Sequence, residues 1–390
     1  MKWEYKTLDQ LGTVSRGKSK HRPRNDPKLF GGKYPFIQTA DVKNADYYIT
    51  KYSDTYNESG LAQSKLWDKG TLCITIAANI ADTGVLAFPA CFPDSIMGFV
   101  PFEGVANTRF IKYCFDRLQR DCKQISQGTA QDNLSWEKLS TIKFCIPEYK
   151  EQCRIADILS AYDDLIENNQ KQIKLLEEAA QRLYKEWFVD LRFPGHENTK
   201  IVDGVPEGWN EKTLSQVANV IMGQSPKSEF YNSEKKGLPF HQGVGSYGVR
   251  FVMDDIYSTS YTRIAEPNSI LFSVRAPVGR LNITKNKVVI GRGLAAINQT
   301  DGCQSYLYYL LKNRFFKDNI VGNGSIFASV SKDELLNQKF LIPERNLMMQ
   351  FEKIVSQMDK QIENLDSKNK KLIEARDRLL PKLMSGEVEV

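Results

Sequence analysis

The sequence predicts an α+β chain: two globular units and two long helices, the helices pairing antiparallel as a coiled coil, all related by a pseudo-two-fold internal repeat. Three observations carry this. First, Glu148–Phe188 holds two interlocked series of sevens, Ile155, Tyr162, Asn169, Leu176 and Leu183 with Leu159, Ile166, Ile173, Ala180 and Trp187, apolar at nine of ten places. That is the seam a coiled coil needs. Second, the seam returns in phase 196 residues later as Phe351, Val355, Met358, Ile362, Leu365, Asn369, Leu372, Arg376, Leu379 and Leu383, with Asn369 and Arg376 as the exceptions. Third, the segments before the two helices match each other as well.

The repeat can be followed along the chain. Trp3, Thr7 and Leu8 recur as Trp209, Thr213 and Leu214; Val14, Gly17 and Ser19 recur as Val220, Gly223 and Ser225. Pro35, Phe36 and Gln38 return as Pro239, Phe240 and Gln242. From about Phe110 the offset locks at 196, pairing Tyr113 with Tyr309, Phe144 with Phe340, Pro147-Glu148 with Pro343-Glu344, and Asp163 with Asp359. The ends of each half agree and the middles diverge. Strand-like runs such as 71–77 and 269–274 lie between Gly, Pro and Asn turns, and a helical segment follows near 110–118 and 306–314. The expected domains are 1–147 and 209–343, with a central helix at 148–188, a linker at 189–208 and a C-terminal helix at 344–390.

Each helix is long: the 33 residues from Ile155 to Trp187 span ~50 Å at ~1.5 Å per residue. If a pseudo-two-fold axis passes between the helices, residue 171+x faces 367−x, and Asn169 lies opposite Asn369. A paired polar layer in an apolar seam fixes register at some cost in stability. The alternative is that each Asn reaches solvent at the edge of the seam.

Composition narrows the class. The 390 residues are 41% hydrophobic, enough for more than one core. No apolar run is long enough to span a bilayer, and the first ten residues lack signal-peptide character. Seven cysteines form no CxxC pair and the three histidines are far apart. The expectation is a reduced, cytoplasmic, metal-free protein. A net charge of +6 permits nucleic-acid binding without arguing for it.

Catalytic signatures are missing or out of context. Gly243, Gly245 and Gly248 fit dinucleotide spacing, but no helix pattern follows them, and a plain Gly-rich loop is the alternative. There is no GxxxxGK[ST] loop and no Asn/Asp-Pro-Pro-aromatic motif, and Pro93-Asp94 lacks a Glu-x-Lys at nuclease spacing. Asp163-Asp164 and Glu177-Glu178 read as helix-surface charges, and a Ser-His-Asp site finds no support. The chain does not look like an enzyme.

Candidate DNA contacts come from the globular halves. Residues 16–28 carry Arg16, Lys18, Lys20, Arg22, Arg24 and Lys28 against one Asp. Cations in a loop suit phosphate contact because they displace condensed counterions; the alternative is a solvated surface loop. The second half offers Lys227, Arg250, Arg275, Arg280 and Arg292, several beside Gly or Pro turns. Arg can bridge guanine, and Gln or Asn can bridge adenine. Gln38, His241 and Gln242 join the list, as do the equivalent loops holding Gln127, Thr129 and Gln131, and Asn323 and Ser325. The glycines of these loops also fit simple turn chemistry.

One set of residues is familiar as a whole: Ile146-Pro147, Ile155, Ile158-Leu159, Asp163 and Ile166; Glu186-Trp187-Phe188; Pro206, Gly208-Trp209 and Leu214; Phe272 to Gly279 with Gly291 to Leu294; and Leu379 to Gly386. The chain resembles, over essentially its whole length, the specificity subunit of type I restriction–modification systems. The resemblance implies two target-recognition domains of mixed α/β fold, held apart by the antiparallel helices, each reading one half of an interrupted DNA target. It implies two methyltransferase subunits as partners, which bring S-adenosylmethionine and methylate adenine, and a motor–nuclease subunit for restriction. No cofactor is expected in this chain. Domains on one ruler should lie ~34 Å apart to reach the same face of DNA. Arg376 in the seam and Arg345-Asn346-Leu347 at the second helix start depart from the family pattern.

Two other classes remain in view. A coiled-coil scaffold with protein-binding globular domains predicts weak affinity for duplex DNA. An enzyme such as a nuclease predicts metal-dependent activity from this chain alone.

Overall fold

A computed structural model of the chain describes residues 3–76, 82–125, 136–315 and 329–390. Two helices of 40 residues dominate it, Tyr149–Phe188 and Arg345–Met384. Both begin directly after an Ile-Pro-Glu step, and the carbonyls of Glu148 and Glu344 accept the first backbone bonds of their helices. The chain divides into two compact units, 1–170 with 366–390 and 171–365, so the boundary cuts both long helices.

In the first unit, residues 149–170 of the first long helix lie against residues 366–384 of the second. Asn169 Nδ2 donates to Asn369 Oδ1 at 2.7 Å, and each residue is 8% exposed. The paired polar layer therefore exists, in the predicted antiparallel register. Ile155 and Leu159 share one core with Leu380, Leu383 and Met384. Globular residues Leu8, Leu72, Phe99, Phe110 and Phe115 complete that core. A five-stranded sheet, in the order Gly12–Arg16, Ile96–Pro101, Leu72–Thr75, Thr83–Leu86, Tyr48–Ile49, backs it; only the last pair is parallel. Leu72–Thr75 is buried at every position, as a central strand covered on both faces must be.

In the second unit, Ile173 and Leu176 of the first long helix cluster with Ile362 and Leu365 of the second, again in the predicted register. An antiparallel four-stranded sheet runs Ala218–Met222, Leu294–Gln299, Ile270–Ser273, Leu281–Ile283. The helix Gln304–Phe315 is buried from Ser305 to Leu311 and shares a core with Tyr184, Trp187, Trp209, Phe351 and Val355. Tyr162, Met358, Leu372 and Leu379 are only half-buried, at the flank of the seam, as is Leu183.

The repeat reappears element by element. A two-stranded ribbon joins Glu4–Lys6 to Phe144–Ile146 in one half and Asn210–Thr213 to Lys339–Ile342 in the other. Thr7 with Gln10, and Thr213 with Gln216, form matching capping boxes on the helices Leu8–Leu11 and Leu214–Val217. Helix Thr108–Ile125 answers to Gln304–Phe315. Among the described residues, no helix is long and apolar enough to cross a membrane.

One member of each acidic pair expected on the helix surface lies elsewhere, while Asp164 and Glu178 stay at the surface. Asp163 is 4% exposed, because Tyr113 Oη donates to it at 2.5 Å and Arg376 closes on its other oxygen. Burial pushes its carboxyl upward more than Arg376 and Tyr113 pull it down. Glu177 is half-buried 3.6 Å from Arg250. A carboxylate on a long helix stays solvated only where no globular residue packs over it.

The Asn layer can be taken apart by substitution. Asn169→Leu alone leaves the Asn369 amide buried without its partner and should cost about 1–3 kcal/mol. Asn169→Leu with Asn369→Leu should restore or exceed the parental Tm while loosening register. A double variant less stable than either single variant would show that the layer contributes stability and not register.

Candidate nucleic-acid interface

The basic loop of the first unit leaves the strand Gly12–Arg16 at Gly17. The Gly17 N–H donates to Ile96 O at 2.9 Å, and a Cβ there would lie 2.2 Å from Phe92 O. Its repeat equivalent Gly223 is held the same way: a Cβ would meet Gly291 O at 2.1 Å. In both halves only glycine lets the loop leave the sheet this closely.

Beyond Gly17 the loop ties itself down. Arg22 Nη1 donates to Ser19 O at 2.6 Å and His21 O at 2.8 Å, and Arg24 donates to Asp94 at 2.8 Å. His21 bonds Asp26 at 2.9 Å, and the Lys28 N–H donates to the same carboxylate at 3.0 Å. Those bonds, the backbone one first, hold the Asp26 carboxyl below its ordinary range. Arg22 is thus engaged with the loop itself, and Arg24 ties the loop to Asp94. Arg16, Lys18, Lys20 and Lys28 are exposed. Gln38 is exposed, but its side chain donates to Asp54 while it caps the helix Thr39–Lys43.

In the second unit the structure removes two candidates. His241 is fully buried: Nδ1 pairs with Ser246 Oγ at 2.8 Å and Nε2 with Asp254 Oδ1 at 3.1 Å. It closes the glycine loop 243–248, whose turn Val244–Ser246 is a short 3-10 helix and not the start of a long one. Arg250 is 3% exposed and paired with Asp359 at 2.6 Å. Neither can face a ligand, because each side chain is consumed by neighbours inside the fold.

Four other candidates are drawn together. Gly293 N donates to Gln242 O, Arg292 N donates to Ser225 Oγ, and Val274 N donates to Gly293 O. These bonds link the loops that carry Lys227, Gln242, Arg275 and Arg292, all with exposed side chains. Lys227 has a weak surface pair with Glu229 at 3.8 Å. Such a pair is worth little in water and yields readily to a phosphate. Arg280, in the same hairpin turn as Arg275, borders a cavity of about 420 Å³ with Tyr247, Val249, Asn282 and Tyr308. Gln127, Thr129, Gln131, Asn323 and Ser325 lie outside the described residues.

The loop after Gly17 is strongly cationic, whereas its counterpart after Gly223 carries Lys227 against Glu229; exposed cations of this kind suit phosphate contact. The sequence matches the family described as "Type I restriction modification DNA specificity domain" twice, over residues 1–178 and 206–375. The chain belongs to that family. Each match takes in one globular part and most of the long helix that follows it. The chain is 27% identical over 410 residues to the type I restriction enzyme MjaIX specificity subunit of Methanocaldococcus jannaschii, covering 100% of this chain and 94% of that protein. It is 24% identical over 331 residues to the HindI specificity subunit of Haemophilus influenzae, covering 65% of this chain and 71% of that protein. A crystal structure of a type I restriction–modification S subunit from M. genitalium shares the fold, with a TM-score of 0.60 at 18% identity over 98% of this chain and 96% of that one.

Sequence reasoning missed the buried roles of Asp163, Glu177 and Arg250. A signal existed for the first: Asp163 and Asp359 keep both charge and position across the repeat, which a surface residue has little reason to do.

His241→Ala should lower the unfolding free energy measured in urea by about 1–3 kcal/mol, since it removes the ring nitrogens that pair with Ser246 and Asp254. Binding of duplex DNA per folded molecule should stay unchanged. A loss of binding with unchanged stability would return His241 to the interface.

Proposed function

We propose that this chain is the DNA-reading subunit of a type I restriction–modification enzyme, each globular part recognising one half of an interrupted target. The observation that carries this is the double family match, with the exposed cations of the loop that follows Gly17 beside it. The two halves share their ends and differ in the middle, as expected if a common partner docks on the ends while the middles read different bases. The paired helices act as the ruler between the half-sites. Catalysis belongs to partners: two methyltransferase subunits that bind S-adenosylmethionine and methylate adenine, and a motor–nuclease subunit for cleavage. A role on cellular DNA puts the chain in the cytoplasm.

Roles within the loops follow from charge and reach. Arg16, Lys18, Lys20, Lys28 and Lys227 contact phosphates; Gln242, Arg275 and Arg292 are the base readers of the second half. Base-resolution mapping of methylated adenines, in cells holding the partner methyltransferase with and without this chain, tests the whole reading. A bipartite motif with a fixed gap should appear only when the chain is present. An active methyltransferase with no chain-dependent motif would favour a protein-binding scaffold instead.

Two substitutions separate the loop roles. Lys227→Ala should weaken binding evenly across sequences and reduce the salt slope by ~0.9. Arg292→Ala should relax preference at one position of one half-site by about 1–3 kcal/mol. Equal effects of both on every sequence would mean that Arg292 contacts phosphate alone.

A further inference from the structure

Both globular parts meet the long helices through a tyrosine, an aspartate and an arginine, but the arginine has changed owner. In the first unit Tyr113 belongs to the globular part, Asp163 to the first long helix and Arg376 to the second. The repeat carries the first two to Tyr309 and Asp359, while position 180, equivalent to Arg376, is Ala180. The guanidinium of the second unit comes instead from the globular part, as Arg250.

That difference alters what the joint can do. Arg250 Nη2 lies 2.6 Å from Asp359 on the second long helix, and Nη1 lies 3.6 Å from Glu177 on the first. Its guanidinium carbon sits 3.7 Å from the Tyr308 ring centre, and Tyr309 Oη is 3.4 Å from Nη1. One buried cation thus touches both long helices and the helix Gln304–Phe315. Its backbone is fixed too, because Ile283 N donates to Arg250 O at 3.0 Å. The next residue, Phe251, packs with Ile173, Ile362 and Leu365 of the two helices. A planar fork held by two carboxylates and stacked on an aromatic ring has one orientation; an ammonium on a flexible stem does not. In the first unit separate globular side chains do this: Tyr113 and Arg109 bond Asp163 and Ser160 of the first long helix, and Arg117 donates to Met384 O of the second.

We propose that Arg250 is a positioning residue that sets the angle of the second globular part on its helices, and through it the half-site spacing at which DNA is methylated. This rests on the bipartite reading given above. Arg250 would then govern spacing without choosing bases.

The test uses the full complex of this chain with its methyltransferase subunits, and duplexes carrying both half-sites with the native gap or one base pair more or less. Arg250→Lys keeps the charge and loses the fork; Asp359→Asn removes the helix partner from the other side. For each variant the ratio of methylation rate at the native gap to that at the altered gaps should fall about tenfold, with the two effects less than additive when combined, as expected of residues in contact. Base preference within the second half-site should not change. A changed base preference would make Arg250 a reader, and an unchanged gap ratio in folded variants would make it a purely structural pair; either overturns the proposal. If the parental complex itself shows no bipartite methylation, the function reading fails, which is a separate result from unaltered variants of an active complex.

Discussion

Each unit depends on one apolar seam between helical pieces that the chain sequence keeps about two hundred residues apart. Residues 149–170 close on 366–384, and 171–188 close on 345–365. Neither piece is viable alone, because a single amphipathic helix gains little without a partner for its apolar stripe. The globular cores then grow onto the seam: Phe110 and Leu8 reach Ile155 and Leu383 in one unit, and Tyr306 and Trp209 reach Trp187 and Phe351 in the other. The Asn169–Asn369 layer restricts how the pieces slide, since any shift would bury two amides without partners.

Much of this was legible in the residues, for a reason that can be named. Heptads and repeats are periodic, and periodicity survives divergence of the amino acids between. The register followed from assuming symmetry, and the Asn pair at 2.7 Å agrees with it. The capping boxes at Thr7 and Thr213 and the glycine exits at Gly17 and Gly223 were visible only as repeat matches. Their physical purpose emerged with the backbone.

The candidate site was legible as composition and less so as geometry. Counting cations cannot tell Arg292, exposed on a loop, from Arg250, which is consumed by Asp359 and Glu177. Nor can it tell that Arg22 bonds carbonyls of its own loop while Arg24 reaches Asp94. His241 stood among the candidates beside Gln242, yet its two ring nitrogens fasten the turn 244–246 from inside. For Arg250 and Arg24 the deciding fact is a partner distant in sequence, which no local pattern contains.

The boundaries of the repeat and of the compact units do not coincide. A repeat is continuous along the chain, whereas the first unit borrows residues 366–390 to finish its core around Leu380, Leu383 and Met384. A ribosome makes the first globular part early, yet its apolar floor stays uncovered until those residues follow, long after 171–365 is complete. The unit written first is therefore the last to close. Over that interval the core around Phe110 and Phe115 has the wall from Ile155 and Leu159 but not the one from Leu380, Leu383 and Met384.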